Sequence, residues 1–203
     1  PAGKIDVSNY YLVAAVDPAT YDAAGGKNSQ SHAAITVYGM DPGLAVYVVI
    51  GGWIGQADLY TLGARIYGLK ATYPNLAYVI IEQDGIGSEV INHMARVYTD
   101  LPILAVTTKN IPKKDRTAAY LKPVLQAGML RISDAKEDFL VQVRRAIEEY
   151  PVNTRSHLQD IIDSLTWAAY SFRNGPGSER IKTKKVSAPN PYYSLASMPK
   201  QGS

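Results

Sequence analysis

The stretch Tyr11-Leu12-Val13-Ala14-Ala15-Val16-Asp17-Pro18 decides the architecture. Its short, continuous apolar run reads as a buried strand. Proline after Asp17 disfavours helical backbone at the aspartate, so the strand stops there. Downstream, the polar, glycine-containing stretch Thr20–Ser31 is long enough for a mobile loop. Two β-rich runs follow, Ala34–Gly39 and Leu44–Ile50, joined by the turn residues Asp41-Pro42-Gly43. A three-strand antiparallel meander is the expectation.

Past Gly51-Gly52 the pattern changes. Leu59, Leu62, Ile66 and Leu69 recur at three- and four-residue steps, which predicts a helix over Asp58–Tyr73, closed by Pro74-Asn75. Ala77–Ile81 is a fourth strand running into Glu82, Ser88–Tyr98 a second helix, and Ile103–Val106 a fifth strand. Lys113–Ala127 reads as one helix capped by Gly128. Met129–Ile132 is a short strand or extended link, Ala135–Tyr150 a charged amphipathic helix, and His157–Phe172 the last helix. A meander followed by alternating helices and strands gives an α/β fold with a mixed sheet, its fourth and fifth strands parallel to the first.

Composition narrows the function classes. With 46% apolar and 19% charged residues, the 203-residue chain is globular and large enough to bury a core unaided. The absence of cysteine excludes a disulfide framework, a thiolate metal site and a cysteine nucleophile. No apolar run approaches the roughly 20 residues that span a bilayer. There is no G-x-x-x-x-G-K-[ST] phosphate loop, and Gly85-Ile86-Gly87 is too short for a nucleotide fingerprint. G-x-S-x-G is missing too, which disfavours a serine hydrolase with His32, His93 or His157 as base. The first residue is Pro1, so a trimmed or processed start is expected. The net charge of +3 divides into −2 over residues 1–170 and +5 over residues 171–203. Residues 1–172 are expected to form the folded domain, and residues 173–203 a basic, flexible tail. Such a tail suits a polyanionic partner, and equally a plain solubilising segment.

The chemistry-bearing candidates are acids in unusual places. Asp17 and Glu82 each end an apolar strand, and carboxylates at the carboxyl ends of neighbouring strands face one crevice. Like charges there repel unless a cation lies between them, and oxygen-only ligands select Mg²⁺ or Mn²⁺. The alternative is that such acids merely mark the change from core to solvent. His157, Asp160 and Asp163 recur at three-residue spacing, and the two aspartates interrupt an apolar helix containing Ile161, Ile162 and Leu165. Complementing the helix dipole explains Asp160 better than Asp163. Lys113, Lys114 and Arg116 open a helix and read either as phosphate contacts or as a solvated helix start.

In order, these are a strand ending at Asp17-Pro18-Ala19, a hairpin, Glu82-x-x-Gly85-x-Gly87, Lys113/Lys114-x-Arg116, Ala127-Gly128 and His157-x-x-Asp160-x-x-Asp163. From about Leu12 to Ala169 this resembles the nuclease domain of a tailed-bacteriophage large terminase subunit. The resemblance implies a ribonuclease H-like fold and a metal-dependent endonuclease that cuts concatemeric double-stranded DNA with little sequence preference. By the resemblance, Asp17, Glu82 and Asp160 are catalytic and bind two Mg²⁺ or Mn²⁺ ions. Asp84 competes with Glu82, and Asp163 and His157 are auxiliary. Lys113, Lys114 and Arg116 fall where the family has a basic helix start. Gln159 stands where many members carry a further aspartate. The implied partners are an ATPase domain, the portal protein and the small terminase subunit, in the host-cell cytoplasm at the procapsid and with no membrane. A Holliday-junction resolvase, a transposase and a silent DNA- or portal-binding module are the competing readings.

Overall fold

The structure, a computed structural model, describes residues 7–19, 32–41, 46–107, 111–151 and 157–174. The Thr20–Ser31 loop, residues 42–45 of the hairpin turn and residues 175–203 of the expected tail lie outside the described residues. Strands β1 (Tyr11–Asp17), β2 (Ala33–Asp41) and β3 (Val46–Gly55) form the expected antiparallel meander. Helix α1 (Leu59–Thr72) leads to β4 (Leu76–Glu82), and α2 (Ile86–Val97) leads to β5 (Ile103–Val106). Then come α3 (Lys113–Ala119), α4 (Leu121–Gln126), β6 (Leu130–Ile132), α5 (Asp138–Glu148) and α6 (His157–Asn174). The six strands lie in the order β5-β4-β1-β2-β3-β6. β4 pairs parallel to β1, β5 to β4 and β6 to β3.

The unbroken apolar run of β1 follows from burial on both faces. Val13 and Ala15 pack with α4, α5 and α6, while Leu12, Ala14 and Val16 pack with α1 and α2. Helix α6 is held over the meander by Thr36 Oγ1 and Ser164 Oγ at 2.6 Å, and by a short contact between the Tyr38 and Ser171 hydroxyls. Its Leu158, Ile161, Ile162, Leu165, Trp167 and Phe172 are all buried. At about 1.5–3 kcal/mol for each large apolar side chain, that burial is what carries the neighbouring acids inward.

Two expected boundaries move. β3 does not stop at Gly51-Gly52 but runs on to Gly55. A bulge at Ile50 shifts the register there, since Val37 pairs with Gly51 and Tyr38 with Val49. Glycine is required at 52 because a Cβ would lie 2.1 Å from the Ile35 carbonyl oxygen and 2.4 Å from the Phe139 ring. The helix expected over Lys113–Ala127 is divided at Tyr120. Pro123 has no N–H for the Ala119 carbonyl, which instead accepts from Arg173 Nη1 at 3.2 Å.

Parallel pairing of Val16 with Ile81 and of Glu82 with Val106 puts Asp17 and Glu82 side by side on one sheet edge. The antiparallel pairing of Asp17 with Ala34, and of Ala33 with Gly55, brings the start of β2 and the end of β3 to the same edge.

Candidate active site

Asp17 is delivered by the end of β1, and Asp160 and Asp163 by the first turns of α6. One carboxylate oxygen from each lies within 4.8 Å of the other two. Asp163 is only 3% exposed, and both of its oxygens are engaged. Oδ2 accepts from Lys113 Nζ at 2.6 Å and Oδ1 from Gln159 Nε2 at 3.1 Å. Gln159 thus helps to orient the Asp163 carboxylate. Asp160 accepts a hydrogen bond from the His32 backbone N–H.

The electrostatics match this crowding. Burial pushes the Asp17 carboxyl well above the usual carboxylate range; the Lys113 ammonium opposes that, and Asp163, Asp160 and Glu82 add to it. Asp160 is pushed up to about 6, first by burial and then by Asp163, against Lys113 and His32. For Lys113, burial favours the neutral amine, but the carboxylates of Asp17, Asp163 and Asp160 outweigh it and raise its pKa. Because Asp160 binds its proton more tightly folded than unfolded, its contribution to stability is complete below about pH 4. That contribution is lost as pH rises through about 6. Allowing for solvent screening at this half-buried group, the loss is about 1–2 kcal/mol. The metal-free domain is therefore expected to melt several degrees lower at pH 7 than at pH 4.5. Calorimetry with EDTA checks this, and Asp160→Asn should flatten the curve.

Glu82 stands beside this group, held by partners of its own. Its Oε2 accepts from Arg116 Nη1 at 3.1 Å and from Trp167 Nε1 at 2.9 Å. The guanidinium lies 5.0 Å from the Trp167 ring centroid. Both contacts fall on Oε2, and the Glu82 charge still reaches Asp17. The backbone at Glu82 is fixed by Gly87, where a Cβ would lie 1.6 Å from the Glu82 carbonyl oxygen. No flexible side chain can yield there. Gly87→Ala is expected to cost at least about 3 kcal/mol, read as a lowered denaturant midpoint, and to displace Glu82.

The remaining candidates are placed as follows. Asp84 is exposed in the turn after β4, where it accepts from Thr107 Oγ1 at 3.2 Å, and it is not one of the clustered acids. His157 is exposed at the start of α6, its ring 5.9 Å from that of His32. Lys114 is exposed, whereas Arg116 is 5% exposed and turned inward onto Glu82 and Trp167. Arg116, expected as a phosphate contact, here forms a buried ion pair with Glu82 and lies over the Trp167 face, while its buried Nε has no hydrogen-bond partner. Sequence reasoning passed over Trp167 and His32. Trp167 follows Asp160 by seven residues and Asp163 by four, on the same helical face, and a buried indole N–H needs an acceptor. No local signal points to His32.

A three-carboxylate donor set with an ammonium already beside it fits a hard divalent cation. No helix among the described residues is long and apolar enough to cross a membrane.

Solved structures share this fold. The magnesium-bound large terminase nuclease of thermophilic phage G20c superposes with a TM-score of 0.59 at 16% identity, over 81% of this chain and 82% of its own. The large terminase of thermophilic bacteriophage D6E gives 0.60 at 9% identity, over 83% of this chain but 41% of its own. The manganese-soaked, inhibitor-bound terminase nuclease domain of human cytomegalovirus gives 0.52 at 12% identity, over 83% of this chain and 86% of its own. The G20c nuclease has also been solved with zinc and with cobalt. The chain therefore has the ribonuclease H-like fold of terminase nuclease domains. No protein-family model and no curated protein matches the sequence.

Proposed function

We propose that this chain is the metal-dependent, DNA-cutting domain of a viral DNA-packaging motor, the nuclease of a large terminase. The observation that carries this reading is the convergence of Asp17, Asp160 and Asp163 within 4.8 Å at the strand-end edge of a terminase-nuclease fold. Asp17 and Asp160 would hold divalent metal, with Asp163 beside them and Glu82 adding its carboxylate from the neighbouring strand. Two Mg²⁺ or Mn²⁺ ions bound there would supply Lewis-acid stabilisation of a phosphodiester oxygen and an acidified water.

The chain's own groups divide the remaining work. The Arg116–Trp167 clamp fixes Glu82 before substrate arrives, so the acidic edge needs little rearrangement. His157, exposed at the start of α6, or Asp163 would shuttle a proton or steady the attacking water. Lys114 and the basic residues after 172 would bind backbone phosphates of double-stranded DNA, which gives affinity without sequence preference. In this reading the domain works with an ATPase domain, a portal protein and a small terminase subunit, at the procapsid in the host cytoplasm, on concatemeric DNA.

Substrate choice and end chemistry test the assignment. Linear duplex and a four-way junction, each offered with Mn²⁺, are expected to be cut comparably, leaving 5′-phosphate and 3′-hydroxyl ends. Cutting confined to the junction would contradict it in favour of a resolvase.

A further inference from the structure

Lys113 opens α3 with its ammonium turned onto the acidic cluster. Its side chain is 54% exposed, so it starts from the surface at the beginning of α3. Its ammonium nevertheless sits 2.6 Å from Asp163 Oδ2, and Asp163 is 3% exposed. It is the foremost positive charge acting on both Asp17 and Asp160. Among the described residues, the salt bridge from Lys113 is the one ammonium contact to these three carboxylates, each of which offers an oxygen within 4.8 Å of the other two. A long, flexible, half-exposed lysine can leave such a position without disturbing the core, which a buried arginine could not.

We propose that Lys113 is a displaceable placeholder cation: it neutralises the acidic cluster in the metal-free chain and withdraws when a divalent ion enters. This rests on the metal-binding reading above and adds its regulation. The placeholder spares the empty site the full repulsion of three carboxylates, at the cost of competing with the ion for the same charge. A withdrawn ammonium is then free at the mouth of the site, where a DNA phosphate would arrive.

The sign of one effect separates this role from a merely structural one. If Lys113 only positioned Asp163, removing it would loosen a ligand and weaken metal binding. If it competes with the ion, removing it strengthens binding. Mn²⁺ titration by calorimetry of the metal-free protein and of Lys113→Gln is the test. Lys113→Gln is expected to bind Mn²⁺ roughly ten-fold more tightly and to melt lower than the wild type only while metal is absent.

A second measurement needs no mutation. Acetylation of Lys113, followed by peptide mass spectrometry with exposed Lys114 as internal reference, should quicken several-fold when Mg²⁺ is added. Equal or weaker Mn²⁺ binding by Lys113→Gln, or labelling of Lys113 indifferent to Mg²⁺ at saturation, would overturn the placeholder alone. Absence of binding to both proteins would overturn the metal reading, and the placeholder with it.

Discussion

Asp17→Asn is expected to reduce DNA cutting by on the order of a thousand-fold or more while making the metal-free domain harder to melt. The two effects have one cause. Asp17 ends a strand whose preceding five residues are buried, and burial together with Asp163, Asp160 and Glu82 disfavours its ionised form. The metal-free fold thus works against a charge at this position. Asparagine has nearly the same shape without the charge, so it relieves the repulsion and removes the ligand. Nicking assays with Mn²⁺ and thermal melts with EDTA, on the same preparation, read both. A variant that melted lower and still cut DNA would mean that Asp17 is an ordinary strand terminus.

Arg116→Ala should do the opposite, with its main effect on stability. It leaves the Glu82 carboxylate, only 12% exposed, with the Trp167 indole as its one remaining hydrogen-bonding partner among the contacts described above. Removing one member of a buried ion pair typically costs about 3–5 kcal/mol, because the other charge stays behind unpaired. In a domain of this size that is a fall in melting temperature of roughly 10 °C. Arg116→Lys should lose part of this, since an ammonium cannot both pair with Glu82 and stack on the Trp167 face. Charge reversal at exposed Lys114 should leave melting unchanged, weaken DNA binding and lessen its salt dependence. Were Arg116 instead a DNA contact, its alanine variant would behave as the Lys114 variant does.

How far the sequence was legible depends on the range of the interaction. The strands were readable because β1 and β4 are buried on both faces and their apolar runs are continuous. The meander was readable from turn chemistry, although β3 crosses Gly51-Gly52 for a reason that lies in Phe139 and the Ile35 carbonyl, far away in sequence. Asp17 and Glu82 stood out at strand ends, and Asp160 and Asp163 as charges within an apolar helix. What no local pattern reveals is who meets whom. Lys113 joins Asp163 across 50 positions, Arg116 joins Glu82 across 34, and Trp167 joins Glu82 across 85. These partners turn three residues that look like a basic helix start and a core tryptophan into the electrostatic setting of the acids.

The most direct measurement is supercoiled plasmid incubated with the domain and Mn²⁺ or Mg²⁺, with EDTA and Asp160→Asn alongside. The account predicts nicking and then linearisation that require the ion and disappear in the variant. Stable DNA binding with no cutting at any concentration of either ion would contradict it, and would leave a binding module with a silent acidic cluster.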